Sequence, residues 1–179
     1  MARKQDRRKA SPAATVLTVL VLAALFVWRM LSPEDGKTQI TLPSGELHVW
    51  FLDVGQADSS LLVCDGQAML IDGGNVDDAS YVVSSLGQYG VTSLDYVINT
   101  HCDEDHVGGL AGVLAKFPAG HVWSSTAEYG TKAFSNFVKY AKEQGRDIEI
   151  PSPGDTFTLG EAEITVLGPL RDYENNNEN

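Results

Sequence analysis

One stretch constrains this chain more than any other: Asn99-Thr100-His101-Cys102-Asp103-Glu104-Asp105-His106-Val107-Gly108-Gly109-Leu110. Two histidines and two aspartates fall within six positions, directly after an apolar run (Leu94, Tyr96, Val97, Ile98) that reads as a buried strand. Alternate residues of an extended loop point the same way, so His101, Asp103 and Asp105 can converge on one point. His106 can turn toward a second point as a helix begins. Neutral imidazole and carboxylate together suit a divalent first-row metal, with coordination positions left open for water. A simpler use of an acidic loop is to cap a helix, with Asp103 or Asp105 capping the helix from His106 onward. That use accounts for one carboxylate, but not for the flanking histidines or the Gly-Gly. A calcium loop fits poorly, because Val107 and Leu114 stand where oxygen ligands belong.

Two further stretches bear on the first. Phe51-Leu52-Asp53-Val54-Gly55-Gln56-Ala57-Asp58-Ser59 and Leu70-Ile71-Asp72-Gly73-Gly74 precede it in the chain. Together the three resemble the metallo-β-lactamase superfamily, whose metal loop commonly reads His-x-His-x-Asp-His. Aspartate in place of the second histidine, here Asp103, resembles the hydrolase domain of ComEC-type competence proteins and their stand-alone relatives. The likeness runs from about Leu47 to the last residue. It implies an α/β fold, the N-terminal half of an αββα sandwich made of two similar halves with metals between them. It also implies that His101 and Asp103 hold one metal and Asp105 and His106 the other, with Asp105 able to orient the attacking water. Asp58 and Asp72 would support the ligands from behind, Asp58 by accepting hydrogen bonds. Zinc is the default ion, and the carboxylate at 103 makes the site more tolerant of manganese than an all-imidazole set. Ala57 stands where these relatives carry glycine, so a positive φ there would be strained. In relatives an Asn-rich turn is followed by a strand, a Gly-Asp bridging ligand and a late histidine. None of these follows Gly168-Pro169, so the domain at 47–179 is expected to be incomplete.

Charge is distributed unevenly. The net charge is −11, yet six of the 13 basic residues (Arg3, Lys4, Arg7, Arg8, Lys9, Arg29) lie before Leu31. The remainder carries seven basic and 23 acidic residues, a balance of −16. Such a surface offers no general electrostatic track for a polyanion, so nucleic acid enters as a partner by family resemblance only. The two cysteines, Cys64 and Cys102, make no disulfide framework. Cys64 reads as a small buried hydrophobe, and alternation turns Cys102 away from the metal.

Residues 1–12 form a basic head expected on the cytoplasmic side. Residues 13–31 follow as an apolar signal-anchor, with Ala13 to Trp28 free of charge. A span takes roughly 20 apolar residues, and about 17 is the short limit. No small-x-small cleavage site follows, which favours an uncleaved single-pass transmembrane helix with the rest extracytoplasmic. Residues 32–46 read as a linker with a first short strand at 38–42. Beyond it, Asp65-Gly66 predicts a tight hairpin turn, and a helix is predicted near 78–89. Leu94 to Asn99 reads as a strand, and an apolar helical face then runs from Val107 to Phe117, ended by Pro118. A short strand at Val122-Trp123 and a helix over 127–144 come next. Strands are predicted at 147–150, 156–159 and 161–167.

The function implied is a metal-dependent hydrolase acting on small or polymeric phosphodiester or other ester substrates. The alternative is a catalytically inactive, metal-binding surface protein that displays its domain to a partner.

Overall fold

The computed structural model describes residues 42–168, together with positions 21–23 and 27. Met1–Lys37 and Thr38–Asn179 are separate compact units, and the architecture that follows is that of the second. The expected basic head, most of the transmembrane span and most of the linker lie outside the described residues. Among the described residues, no helix is long and apolar enough to cross a membrane.

Five strands make one sheet: β1 (His48–Phe51), β2 (Ser60–Cys64), β3 (Gln67–Ile71), β4 (Leu94–Asn99) and β5 (Ala119–Ser124). They lie side by side in chain order, the first three antiparallel and the last three parallel. The β2–β3 turn is where Asp65-Gly66 predicts it. Both residues have positive φ, 49° and 81°, the pairing that a two-residue turn needs to match strand twist. Antiparallel strands can be joined by such a turn, whereas the parallel pairs require crossovers. Helix α1 (Ala79–Gln88) supplies the first crossover. The second is supplied by α2 (Glu104–Val107) and α3 (Leu110–Leu114).

The register places Leu61 opposite Leu70, Leu70 opposite Val97, and Val97 opposite Val122. All four are 0% exposed. This row forms the floor of the main core, which Val82 and Leu86 of α1 and Leu110 and Val113 of α3 complete. Phe134 and Phe137 of α4 (Lys132–Glu143) close it. Thr131 caps α4, its hydroxyl accepting from the Phe134 N–H at 3.3 Å, so the helix starts later than apolar periodicity alone predicts.

The opposite face of the sheet is covered in part by a hairpin of β6 (Thr156–Leu159) and β7 (Ala162–Thr165). Its Leu159 joins Cys64 and Met69 in a second, smaller core. Toward the β1 edge that face is bare, with Val49 42% and Phe51 84% exposed. The expected strand at 147–150 reduces to one bridge, between Trp123 and Glu149.

The single helix expected from Val107 to Phe117 is broken at Gly108-Gly109, where the loop after β3 passes. Gly73 N–H donates to the His106 carbonyl (2.7 Å) and Gly109 N–H to the Gly74 carbonyl (3.1 Å). Gly74 N–H in turn donates to the Asp58 carbonyl (2.8 Å), and Asp58 N–H to the Asp105 carbonyl (3.1 Å). Three loops from separate parts of the chain are thus joined by main-chain bonds at one end of the sheet. The left-handed turn before Asp58 falls on Gly55 (φ 71°), and Ala57 is not among the residues with positive φ.

Candidate metal centre

Strand β3 ends at Ile71 and β4 at Asn99, neighbours in the parallel part of the sheet. The residues that follow therefore emerge side by side, Asp72 from one and Thr100 and His101 from the other. Open sheets of this kind place ligands beyond the carboxyl ends of their strands.

Asp72 is 4% exposed. Its Oδ1 accepts from the Thr100 N–H (2.8 Å), and its Oδ2 from the Thr100 hydroxyl (2.5 Å). His106 Nδ1 lies 3.0 Å from the same Oδ2. A carboxylate only accepts, so a proton sits on Nδ1, and in the neutral ring Nε2 carries the lone pair. Nε2 looks toward the Asp58 carboxylate, 3.9 Å away. That carboxylate is 72% exposed. Asp58 therefore braces the loop through its main chain, while its side chain faces the same space as His106.

Asp103 occupies the N-cap position of α2, yet its side chain makes no capping bond. Its Oδ2 stands 3.5 Å from His101 Nε2, and its Oδ1 accepts from the Tyr129 hydroxyl at 3.3 Å. The capping use of the acidic loop is thus not the one this carboxylate adopts. Asp105 Oδ2 accepts from the Gln56 side-chain amide (3.4 Å). The His101 and His106 rings stack with centroids 5.5 Å apart. Cys102, between them in sequence, is 2% exposed, and its sulfur accepts from the Asn99 amide. Burial pushes its thiol pKa up, which leaves it inert.

Among the described residues, no three His, Cys, Asp or Glu side chains gather closely enough to hold an ion. The donors approach in pairs: His101 with Asp103, and His106 with Asp58. The set nevertheless fits a divalent cation. The two stacked imidazoles each lie against a carboxylate, His101 against Asp103 and His106 against Asp58, and Asp105 adjoins them in the same loop. Among the described residues, no lysine or arginine forms an ion pair with any of these three carboxylates. The His106 tautomer is also the one that ligation requires.

Burial opposes charge on His106, but the hydrogen bond and charge of Asp72, with Asp105 and Asp58 beyond, raise its pKa above the ordinary 6.5. A raised folded-state pKa contributes stability that is full below the unfolded value and is lost as pH rises through the folded one. Chelator-treated protein should therefore melt at lower temperature as pH rises from neutral into mildly alkaline solution. His106→Gln should flatten that part of the profile. A wild-type profile already flat there would remove the ion pair from the account.

Beside His101 the partly covered sheet face opens into a cleft of 620 Å³, with Met69, Ile71, Ile98, Trp123, Phe157 and Leu167 among its lining residues. The centre thus lies at the end of an apolar trough. Sequence reasoning names His101, Asp103, Asp105, His106, Asp58 and Asp72. It gives no separate role to Thr100 or Gln56, although both lie inside the motifs. It passes over Tyr129, which carries no local signal.

The chain matches the metallo-beta-lactamase superfamily over residues 52–173. It is 34% identical over 138 residues to the competence protein ComA of Neisseria gonorrhoeae, covering 76% of this chain and 18% of that protein. With the ComE operon protein 3 of Bacillus subtilis (strain 168), identity is 23% over 167 residues, covering 83% and 20%. Among solved structures, the fold resembles the metallo-beta-lactamase SMB-1 (TM-score 0.51, 20% identity, 69% of this chain and 51% of that one). It also resembles MEM-A1, a subclass B3 metallo-beta-lactamase from a soil metagenome library (TM-score 0.52, 18% identity, 66% and 48%). The chain thus spans about half the length of these lactamases and about a fifth of the competence proteins.

Proposed function

The chain belongs to the metallo-β-lactamase superfamily, and from that premise we propose that it carries a metal-dependent hydrolase site for phosphodiester bonds. The observation that carries this reading is the pairing of His106 with buried Asp72, at 3.0 Å through Nδ1. It fixes the ring's orientation and holds a proton on Nδ1, so that Nε2 is the nitrogen available to a ligand once the ring is neutral. His101 and Asp103 would hold one ion, and Asp105 and His106 a second, with the Asp58 carboxylate beside them. When bound, such ions supply Lewis acidity, lowering the pKa of water and offsetting charge that builds on a phosphodiester.

The chain's own residues do the positioning. Asp72 and Thr100 keep the His106 proton on Nδ1. Gln56 donates to Asp105 Oδ2 and so orients the carboxylate, whose remaining lone pairs would serve the ion and a hydrogen bond from the attacking water. The choice of a phosphodiester rests on the likeness to competence proteins. With a balance of −16 outside the basic head, substrate recognition would rest on the site itself rather than on a charged track.

The test is hydrolysis of bis(p-nitrophenyl) phosphate with added Zn²⁺ or Mn²⁺, against chelator. His101→Ala should lower both metal content and turnover by more than about 100-fold, since losing even an outer partner of a ligand costs roughly 10–100-fold. Unchanged metal content in His101→Ala, by elemental analysis, would overturn the ligand assignment. Tight metal binding without turnover would favour the second reading, a non-catalytic metal-binding protein. The pairwise approach of the donors supports that second reading.

A further inference from the structure

His106 is held at Nδ1 by Asp72, and Asp105 at Oδ2 by Gln56. Asp103 is held from a different element altogether. Tyr129 lies between β5 and α4, and its hydroxyl donates to Asp103 Oδ1 at 3.3 Å. Its ring meets Phe134 edge-on, with centroids 6.0 Å apart and planes at 77°. Phe134 is 2% exposed within the main core. The direction of the phenol is therefore set by the core under α4, not by the loop it touches.

This matters because Asp103 is a carboxylate. An imidazole presents one lone pair in one direction. A carboxylate can present either oxygen or both, and its terminal torsion is broad. The usual local partner of an aspartate at the start of a helix is an N–H of the first turn. Asp103 makes no such bond, so its orientation depends on what lies across the loop. Outer hydrogen bonds of this kind orient ligating carboxylates in metal sites generally.

We propose that Tyr129 is a positioning residue for Asp103: by donating to Oδ1, it leaves Oδ2 as the single oxygen presented to an ion shared with His101. The inference rests on the metal reading above and adds a residue outside every motif that suggested it. It also makes the denticity of Asp103 a property of the β5–α4 connection.

The test compares wild type, Tyr129→Phe, Asp103→Ala and the double variant as full-length chains. Zn²⁺ affinity is measured by competition with a chromophoric chelator, the visible spectrum is read with Co²⁺, and melting is followed without metal. Tyr129→Phe should bind Zn²⁺ about 10-fold more weakly, within the 10–100-fold that outer partners contribute. It should also alter the Co²⁺ spectrum, because both oxygens of Asp103 can then engage. Metal-free melting should stay at the wild-type temperature, and the substitution should do nothing further in the Asp103→Ala background. Affinity and spectrum equal to wild type would overturn the proposal. So would a loss that persists without Asp103, or one that tracks a fall in metal-free melting. If wild type and His101→Ala bound Zn²⁺ equally, the metal reading would fail first, and the role of Tyr129 with it.

Discussion

Replacing Asp72 with alanine should lower stability by about 3 kcal/mol and abolish tight metal binding. Three donors converge on this one buried side chain: the Thr100 N–H, the Thr100 hydroxyl and His106 Nδ1. Each buried polar group left unsatisfied costs about 1–3 kcal/mol, and relaxation toward water recovers part of the sum. The backbone adds to the loss, because Asp72 sits at φ 59°, a region that alanine enters at a cost of about 1–2 kcal/mol. Asparagine separates the two effects. It tolerates the left-handed backbone and keeps one acceptor oxygen, but its amide group brings hydrogens to a place already crowded with donors. Asp72→Asn should therefore recover a substantial part of the stability while His106 loses its anchor and metal affinity stays low. Denaturant melts beside metal titrations decide the matter. An Asp72→Ala protein that melts like wild type would show that the network does not hold these loops.

The second large effect concerns a glycine whose backbone is ordinary. Gly109 has φ −78° and ψ −18°, values open to any residue, and it adjoins α3. Backbone conformation alone would admit alanine there without strain. Space decides otherwise. A Cβ at Gly109 would overlap the carbonyl oxygen of Gly73, and one at Gly73 would lie 2.6 Å from the Leu110 nitrogen. The obstruction is main chain, and it cannot rotate away. Gly109→Ala should therefore destabilise by about 3 kcal/mol, at the upper end of ordinary overpacking. Gly87, inside α1, has nothing within 4 Å of its would-be Cβ, so Gly87→Ala should stabilise by about 0.5–1 kcal/mol. The paired melts give opposite signs if close approach is the cause. A stabilising Gly109→Ala would mean that the loops separate easily.

What was legible in the sequence was what short-range chemistry dictates. Strand β4 runs from Leu94 to Asn99 as read, because a continuous apolar run before a polar loop has few other uses. The Asp65-Gly66 turn is equally local. The apolar face after the metal loop reads as one continuous helix because it persists across Gly108-Gly109, where the structure breaks it. Its interruption comes from a loop some 35 positions earlier in the chain, through Gly73 and Gly74. The anticipated strain at Ala57 rested on assigning the left-handed turn to that position, and Gly55 adopts it instead. In the site, residue types and spacing pointed to His101, Asp103, Asp105 and His106. The division of labour behind them was hidden. Asp58 is expected to accept hydrogen bonds that steady the loop, and its main-chain carbonyl accepts one from the Gly74 N–H while its own N–H donates to the Asp105 carbonyl. Tyr129 reaches Asp103 across 26 positions, a separation that no periodicity encodes.

The main-chain bonds linking the loops at 58, 73–74 and 105–109 bear on how such a site can diversify. Apart from the glycines that make room and the buried Asp72 carboxylate that ties Thr100 and His106 together, this part of the scaffold asks little of side-chain identity, because its contacts are amide to carbonyl. The Asp103 side chain projects from that frame, which the residue supports through its carbonyl alone, so it can be exchanged for another donor with little penalty to folding. On the metal reading proposed above, other ion preferences would then be reachable by single substitutions that leave the fold's tolerance to mutation largely unspent.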